Sequence, residues 1–347
     1  MRYALASDWI FLRRVLITLA VVSIAYLAWK IAALFILFFA AVLLAVLLGG
    51  LAGVVARYSL LSPGWALALS CVSLAAIVGA LLSVFGAQII GQISGVFGQL
   101  PGAINAAGAR FGIADAFAQL QETVSAEGSG QLLSRAARVG YTALGVVADL
   151  VLVTVVAIYL AADPSLYRRG TIKLFPPEQH DRIGDALDLS ASALRLWFLG
   201  QLVSMTLVGL LCGLAFWAIG LPSPVGLGAI AGATNFIPLI GPIIGAVPAV
   251  LFALTQDLRV VLWTVGAVLV IQQLEGNFIT PMIQKRAVEI PPALILLGIS
   301  ALGALGGMLG VILAAPLTVV IMVLVQKLWI RETLGGNTTI PGERHLN

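Results

Sequence analysis

The chain has 347 residues, of which 61% are hydrophobic and 10% charged, and its mean hydropathy is +1.08. Since a soluble domain carries about 25% charged residues, this composition excludes a soluble protein and indicates an all-α polytopic membrane protein. The formal net charge of +4 is too small to indicate a nucleic-acid partner, and basic residues in cytoplasmic loops account for it.

Residues 1–87 are predicted to hold three membrane spans of about 20 apolar residues each. The first runs from Ile10 to Trp29, Lys30 interrupts the apolar run, and the second covers Ile31 to Leu48. The third extends from Trp65 to Ala87. The first apolar run is longer than a signal peptide and has no cleavage site, so we expect it to stay attached as an anchor.

Residues 88–140 are rich in Gly, Ala, Gln and Ser, with apolar residues at helical spacing. This pattern predicts amphipathic interfacial helices, which serve as a linker or shield a pathway. A fourth span is predicted over residues 141–162. Residues 163–195 carry many charges and predict a cytoplasmic polar helix that begins at the proline pair Pro176 and Pro177.

The predicted transport core covers residues 196–328 and begins with a fifth span from Leu196 to Ile219. Residues 222–254 would form a helix of about 50 Å, which is too long for one crossing of a hydrocarbon core about 30 Å thick. Broken backbone at membrane depth is tolerated only inside protein or along a cavity. We therefore predict a re-entrant hairpin with its tip at residues 237–242, and its interrupting prolines are Pro238, Pro242 and Pro248.

A sixth span, from Val260 to Phe278, precedes a second overlong apolar segment at residues 292–326. Its middle is broken by small residues and a proline, namely Gly306, Gly307, Gly310 and Pro316. We predict a second hairpin here, with a single crossing of each long segment as the alternative. The fold would then have about six full spans plus two hairpins, or seven to eight membrane segments, before a cytoplasmic tail at residues 329–347.

Positive charges orient these segments. Both arrangements place both termini in the cytoplasm, and the hairpin arrangement gives a slightly better charge balance because Lys285 and Arg286 lie inside and Arg259 outside. The two hairpins would also belong to inverted units, which is a common plan of secondary transporters.

Glu275 is the sharpest candidate for a functional residue. A carboxylate in an apolar span is costly to keep ionised, so it could exchange protons, although it could instead fix the register of an interfacial helix. Nearby amides extend this candidate site, and they are Gln272, Gln273 and Asn277. At the first hairpin tip, Thr234 and Asn235 could offer oxygens to a hydrated cation or a polyhydroxy solute, or could simply form a turn.

No motif supports enzymatic chemistry, because the chain lacks a phosphate-binding loop, a zinc-protease helix and a serine-hydrolase elbow. Cys71 and Cys212 lie in apolar runs, and His180 and His345 are isolated from each other. We therefore expect no disulfide, no metal and no cofactor.

The C-terminal half resembles the autoinducer-2 exporter family of bacterial permeases. The similarity lies in GATNFIPLIGPIIGAVPAVLFAL at residues 232–254, QQLEGNFITPMI at 272–283 and GGMLGVILAAPL at 306–317. A P-x-x-x-x-x-R stretch from Pro176 to Arg182 and LGQL from Leu199 to Leu202 also match. The resemblance extends from Asp163 to Leu328, whereas the N-terminal half shares only the hydropathy layout.

The resemblance implies a multi-pass protein of the bacterial inner membrane that exports a small solute. Some relatives are associated with the signal autoinducer-2 and others with sodium/proton exchange. The family's I-P-x-x-G and E-x-N elements fall on Ile237, Pro238 and Gly241 and on Glu275 and Asn277, and its following prolines fall on Pro281 and Pro291.

Together these observations predict a secondary active transporter that exports a small polar solute and couples to protons or sodium through Glu275. Membrane lipid and further copies of the chain in a homo-oligomer are the other expected partners. The alternatives are a sodium/proton antiporter, a passive oligomeric channel and a non-transporting membrane scaffold.

Overall fold

The computed structural model describes residues 2–59, 61–81, 83, 130–279, 281–282, 291–338, 340 and 343. Its regular structure is helical throughout these ranges. By length and composition, four of the described helices can cross a membrane, or five if a pair bent by 87° counts as one span. This confirms the all-α membrane class but does not confirm the predicted seven or eight segments. Residues 88–129 of the predicted interfacial stretch lie outside the described ranges.

Helix α1 runs without interruption from Arg2 to Tyr58, so the break predicted at Lys30 is wrong. Lysine favours helix, and the Lys30 ammonium lies 5.9 Å from the ring centre of Tyr26 one turn earlier, which satisfies its charge within the helix. The 57 residues of α1 extend about 85 Å. The placement of both termini in the cytoplasm stays a prediction.

Helices α2 (Pro63–Leu81) and α3 (Gly130–Ala162) pack against the second half of α1. Their shared core contains Ala41, Ala45, Leu48 and Ala157. The chain then turns sharply into α4 (Pro164–Ile172), where the Asp163 carboxylate accepts a hydrogen bond from the amide of Leu166 at 3.0 Å and caps the new helix.

Helix α5 (His180–Ile219) follows a short 3-10 turn at Pro177–Gln179, so it begins at the predicted proline pair. It contains both the predicted polar helix and the predicted fifth span, because the boundary near residue 195 is a change of composition and not of backbone. The helix ends at Gly220, whose φ of +86° favours glycine.

Residues 224–254 form hairpin 1, as predicted from their length. Its arms are α6 (Pro224–Thr234, 11 residues) and α7 (Gly241–Leu254, 14 residues), about 16 and 21 Å long, so each is shorter than a membrane span. A Cβ on Gly245 would lie 2.8 Å from Cα of Ala231, and one on Gly241 would collide with the carbonyl of Thr234. These contacts show that α7 runs back along α6.

Helix α8 (Leu258–Leu274) continues into a π-helical turn at Glu275–Ile279. Helix α9 (Pro292–Leu324) contains Gly307 with φ 57° and ψ −138°, a conformation that only glycine adopts readily. Since a Cβ on Gly310 would collide with the carbonyl of Leu302, and one on Gly298 would lie 2.8 Å from Oγ1 of Thr318, residues 308–324 fold back along 292–306. This is hairpin 2, residues 292–324, and it was also predicted.

Helix α5 relates the two hairpins. The tip of hairpin 1 lies beside its middle, because Phe236 contacts Trp197 with ring centres 5.8 Å apart. The second arm of hairpin 2 runs antiparallel to α5, with Val319 packed in the same cluster as Trp197 and Lys327 paired with Asp185. Extrapolated along this arm, Gly307 lies about level with Ser204 of α5. The two tips therefore approach the same depth from opposite ends.

Most of the predicted hinge residues lie at these tips. Pro238, Gly241 and Pro242 surround the tip of hairpin 1. Gly306, Gly307 and Gly310 surround the tip of hairpin 2. By contrast, Pro248 and Pro316 lie inside helical arms, where they do not mark the turn.

Close packing of glycines holds hairpin 1 against α5. Gly209 and Gly213 of α5 face Gly228 and Gly232 of α6, and a Cβ on Gly228 would lie only 2.6 Å from the carbonyl oxygen of Gly209. Small residues at four-residue spacing let helix backbones approach in this way. Hairpin 1 is thus fixed at a defined height along α5.

Candidate functional site

Glu275 joins three elements at one point of the bundle. Its Oε1 accepts a hydrogen bond from Nδ2 of Asn235 at 2.6 Å and another from Oγ of Ser204 at 2.7 Å. Nδ2 of Asn235 also lies 3.2 Å from the Ser204 oxygen. Since Asn235 is only 3% exposed and Ser204 only 6%, this is a buried polar cluster within an otherwise apolar packing region.

Gln201 completes the cluster from α5. Its Nε2 donates to the backbone carbonyl of Asn235 at 2.6 Å. This carbonyl follows the end of α6 and has no place in a helical ladder, so a side-chain donor satisfies it. Ser204 lies one turn further along α5, and the two residues therefore bind the backbone and the side chain of the same asparagine.

The local sequence explains why Asn235 lies at this position. The amide of Asn235 still donates to the carbonyl of Ala231 at 3.2 Å, but the prolines that follow prevent α6 from continuing. The chain reverses at Leu239, whose φ of +70° is unusual for a side chain branched at Cγ. Backbone of this kind persists only where its surroundings hold it, and it is frequent at functional sites.

Glu275 also begins an irregular segment, because α8 changes there into a π-helical turn. Single π turns within helices occur often at functional sites, since the extra residue redirects a side chain. Here the turn begins at the residue whose carboxylate meets hairpin 1.

The cluster lies beside the middle part of α5, between the predicted ends of the fifth span. At 1.5 Å per residue, Ser204 is about 12 Å beyond Leu196 and about 22 Å before Ile219. The side chain of Glu275 is half-buried at this level. A carboxylate among apolar side chains needs hydrogen-bond donors, and Asn235 and Ser204 supply two.

The second oxygen of Glu275 is chemically available. Within the described part of the chain, Oε2 has no hydrogen-bond partner, and no lysine or arginine pairs with this carboxylate. The described residues also contain no group of three or more potential metal ligands of the His, Cys, Asp and Glu types. The arrangement suits one proton or one monovalent cation, or the donor group of a polar solute.

The remaining predicted site residues lie apart from this cluster. The hydroxyl of Thr234 donates within its own helix, to the carbonyl of Ile230 at 2.9 Å. Asn277 donates to Gln273 at 3.3 Å on the exposed face of α8, where both line an open groove of about 250 Å³. Gln272 is half-buried and makes no hydrogen bond to other described side chains.

Gln201 and Ser204 were not predicted as site residues. A signal was present, because two polar residues three positions apart in an apolar span share one face of the helix. Without the position of hairpin 1, this face had no identified partner.

Comparison with known proteins gives relatives named for transport. The provisionally named transport protein YrrI of Bacillus subtilis is 39% identical over 166 residues, which cover 48% of this chain and 47% of YrrI. YueF of the same organism, also provisionally named for transport, is 31% identical over 182 residues, covering 51% and 49%. The AI-2 transport protein TqsA of Escherichia coli is 28% identical over 142 residues, covering 40% of each chain.

The chain thus spans about half the length of the first two curated relatives that it matches. The model of the AI-2E family of transporters matches much further, over residues 16–329, and so includes both hairpins and the cluster around Glu275. The chain therefore belongs to the AI-2E transporter family.

Proposed function

We propose that this protein is a secondary active transporter of the bacterial inner membrane that exports a small polar solute and couples to a proton or sodium gradient through Glu275. The observation that carries this proposal is the pair of hydrogen bonds that Glu275 accepts from Asn235 at the tip of hairpin 1 and from Ser204 in α5. Membership of a transporter family agrees with the expectation that the chain is not an enzyme.

Protonation of Glu275 would change how hairpin 1 is held. A hydrogen bond to an ionised carboxylate is about twice as strong as one between neutral groups. The ionised state of Glu275 therefore binds Asn235 firmly, and the protonated state releases it more easily. A sodium ion bound at Oε2 would likewise withdraw charge from the oxygen that accepts the hydrogen bond of Asn235. In either case, occupancy of one carboxylate alters the attachment of one hairpin tip.

The opposed hairpins supply the moving parts. Two broken segments that reach the same depth from opposite ends can open alternately, so that a solute bound between them meets one side at a time. The N-terminal helices, which contact hairpin 2 through Ile36 beside Gly306, would form the stationary scaffold.

The solute class follows from the groups at the tip. Gln201, Ser204 and Asn235 offer hydroxyl and amide groups, which suit a small molecule rich in hydroxyl and carbonyl groups. TqsA is named for transport of AI-2, and a signal of that kind is one such molecule. The proposed cargo is therefore an autoinducer-2-like or other small polar solute.

Lipid and further copies of the chain are the proposed partners of the outer surface. Long apolar side chains of α1 are exposed there, among them Leu34 at 60% and Phe35 at 66%. A water-exposed surface of this composition is unstable, whereas lipid or a neighbouring subunit would cover it.

Flux into reconstituted vesicles tests the proposal. Candidate solutes are offered under imposed proton and sodium gradients, and we expect saturable flux that follows one gradient. Glu275→Gln should abolish the response to the gradient, because the amide cannot bind a proton at this position. Glu178→Gln, which changes an exposed carboxylate in the 3-10 turn before α5, is the matched control and should leave flux unchanged.

The other outcomes separate the alternatives. Gradient-driven flux that survives Glu275→Gln contradicts the coupling role. Flux that does not saturate and ignores both gradients indicates a channel, and proton movement driven by sodium without solute indicates an antiporter. If no solute moves although the protein is intact and folded, the non-transporting membrane scaffold is the alternative that remains.

A further inference from the structure

The end of the chain folds back onto the bundle. After α9 and its π-helical extension Val325–Arg331, the backbone turns at Gly335, whose φ is +67°. The amide of Gly336 then donates to the carbonyl of Ile330 at 2.9 Å. The returning segment is thus bonded to the helix that it has just left.

Arg331 fixes this returning segment with three hydrogen bonds. Its guanidinium donates to both carboxylate oxygens of Glu343, at 2.6 and 2.9 Å, and to the carbonyl of Thr338 at 2.5 Å. Such paired contacts combine strength with a defined geometry. The hydrogen bond from Arg331 also holds the pKa of Glu343 below its usual range, so the pair remains ionised at neutral pH.

Ile340 is inserted into the core beneath the hairpins. It is 4% exposed and packs in one cluster with Ala193 and Trp197 of α5 and Val319 of hairpin 2. Without this contact the Ile340 side chain would be exposed to water. Its burial therefore binds the tail to both α5 and hairpin 2.

A second set of charges stabilises the same end of the bundle. Lys327, only 9% exposed, lies 3.2 Å from Asp185 of α5 and 3.0 Å from Glu332, and Glu332 in turn lies 3.3 Å from Arg182. The start of the tail is therefore joined to α5 by a network of two basic and two acidic side chains, whose charges balance.

We propose that the described residues of this tail, 332–338 with Ile340 and Glu343, form a latch that holds both hairpins in the arrangement described here; the buried Ile340 side chain and the Arg331–Glu343 ion pair attach it to the bundle. Ile340 shares one core cluster with Val319 of hairpin 2 and with Trp197 of α5. The ring of Trp197 in turn lies against Phe236 of hairpin 1, next to Asn235.

The latch acts by favouring one arrangement. The surface that receives Ile340 is built jointly by α5 and hairpin 2, so it exists only while these elements keep their present positions. A segment that binds one state stabilises that state by the difference in its affinity for the two. The tail must then be released before the hairpin tips can move freely. The latch rests on the proposed function in one respect only, namely that the hairpin tips move.

The test measures the tail and the tip separately, in the full chain and without any solute. Trypsin cleavage after Arg331 reports release of the tail. Maleimide labelling of Leu239→Cys, in a background with Cys71→Ser and Cys212→Ala, reports exposure of the tip of hairpin 1. Ile340→Ser should raise both rates by about tenfold or more, since it removes a buried aliphatic side chain. Glu343→Gln should raise both by about two- to fivefold, as expected for a partly exposed ion pair.

Matched variants make every outcome decisive. Glu178→Gln should change neither rate. Glu343→Arg should raise the rate of tip labelling, and addition of Arg331→Glu should return that rate to the starting value, which a general folding defect would not allow; tip labelling is the readout for this pair because Arg331→Glu removes the trypsin site. Cleavage that rises without a change in tip labelling overturns the latch, as does the absence of either change. No solute is used in this test, so its result is independent of transport. If the variants raise cleavage and tip labelling but the protein moves no solute in vesicles, the transport proposal is wrong and the latch stands.

Discussion

At the level of single residues, Asn235 connects three elements of the bundle. Its side chain meets Glu275 and Ser204, and its backbone carbonyl meets Gln201. One asparagine thereby links α5, α8 and hairpin 1. Loss of a partner is costly here because a buried polar group left without a hydrogen bond is destabilising by about 1–3 kcal/mol.

Asn235 and Ser204 should consequently differ in their effect on stability. Asn235→Ala removes one donor to Glu275 and leaves the hairpin without its side-chain attachment, and we expect a loss of about 1–3 kcal/mol. Ser204→Ala leaves the shorter bond from Asn235 in place, and we expect a loss of about 0.5–1.5 kcal/mol. Thermal unfolding in detergent measures both. A larger loss for Ser204→Ala would show that the hydroxyl, and not the amide, anchors Glu275.

The sequence predicted part of this site. Glu275 and Asn235 stood out because polar residues are expensive inside apolar segments, which is a property of composition alone. Thr234, Gln273 and Asn277 carried the same signal, but their side chains bond within their own helices. The direction of each side chain depends on where α6 ends and where α8 becomes a π turn, and neither boundary could be predicted from the sequence.

At the scale of elements, hairpin 1 depends on backbone contact. Gly228 of α6 lies so close to α5 that an added Cβ would be 2.6 Å from both the Gly209 oxygen and Cα of Gly213. Both neighbours are backbone atoms and cannot rotate away. The glycines in α8 differ, since a Cβ on Gly266 would meet nothing within 4 Å.

The same substitution should therefore have opposite effects in the two helices. Gly228→Ala should destabilise the protein by about 1–3 kcal/mol, because it overpacks a rigid contact. Gly266→Ala should stabilise it by up to about 1 kcal/mol, because alanine favours helix. Thermal unfolding of the two variants under one set of conditions measures the difference. Equal shifts of the same sign would show that α6 does not pack on α5 at this glycine.

Helix lengths and breakers predicted both hairpins but misjudged α1. An apolar segment of 33 residues with central prolines or glycines has few ways to fold in a membrane, so length together with central breakers predicts a hairpin. Lys30 was read as a break of the same kind. A single lysine does not interrupt a helix, because its long side chain can place the ammonium group over a neighbouring aromatic ring, as Lys30 does over Tyr26.

At the scale of the whole molecule, charge defines one end of the bundle. The ion pairs of Arg168 with Asp188 and of Lys327 with Asp185 lie there, together with the tail. Leu258, which begins α8, lies at the other end because α7 and α8 run away from and back toward Glu275. More lysines and arginines lie at the first end than at the end where α8 begins, so we expect the first end to face the cytoplasm.

Labelling of single cysteines from outside intact cells tests this orientation. Arg259→Cys should react with an impermeant maleimide without permeabilisation, because it lies at the end of the bundle with few charges. Lys173→Cys, close to the ion pairs, should react only after permeabilisation. Reaction of both from the same side would contradict the opposed hairpins. In that arrangement α5 crosses the membrane once between these positions, whereas α6 and α7 enter and leave on one side. Arg2→Cys then decides the path of α1: an unbroken helix requires it to react with Arg259→Cys, whereas reaction with Lys173→Cys would show that α1 bends back within the membrane.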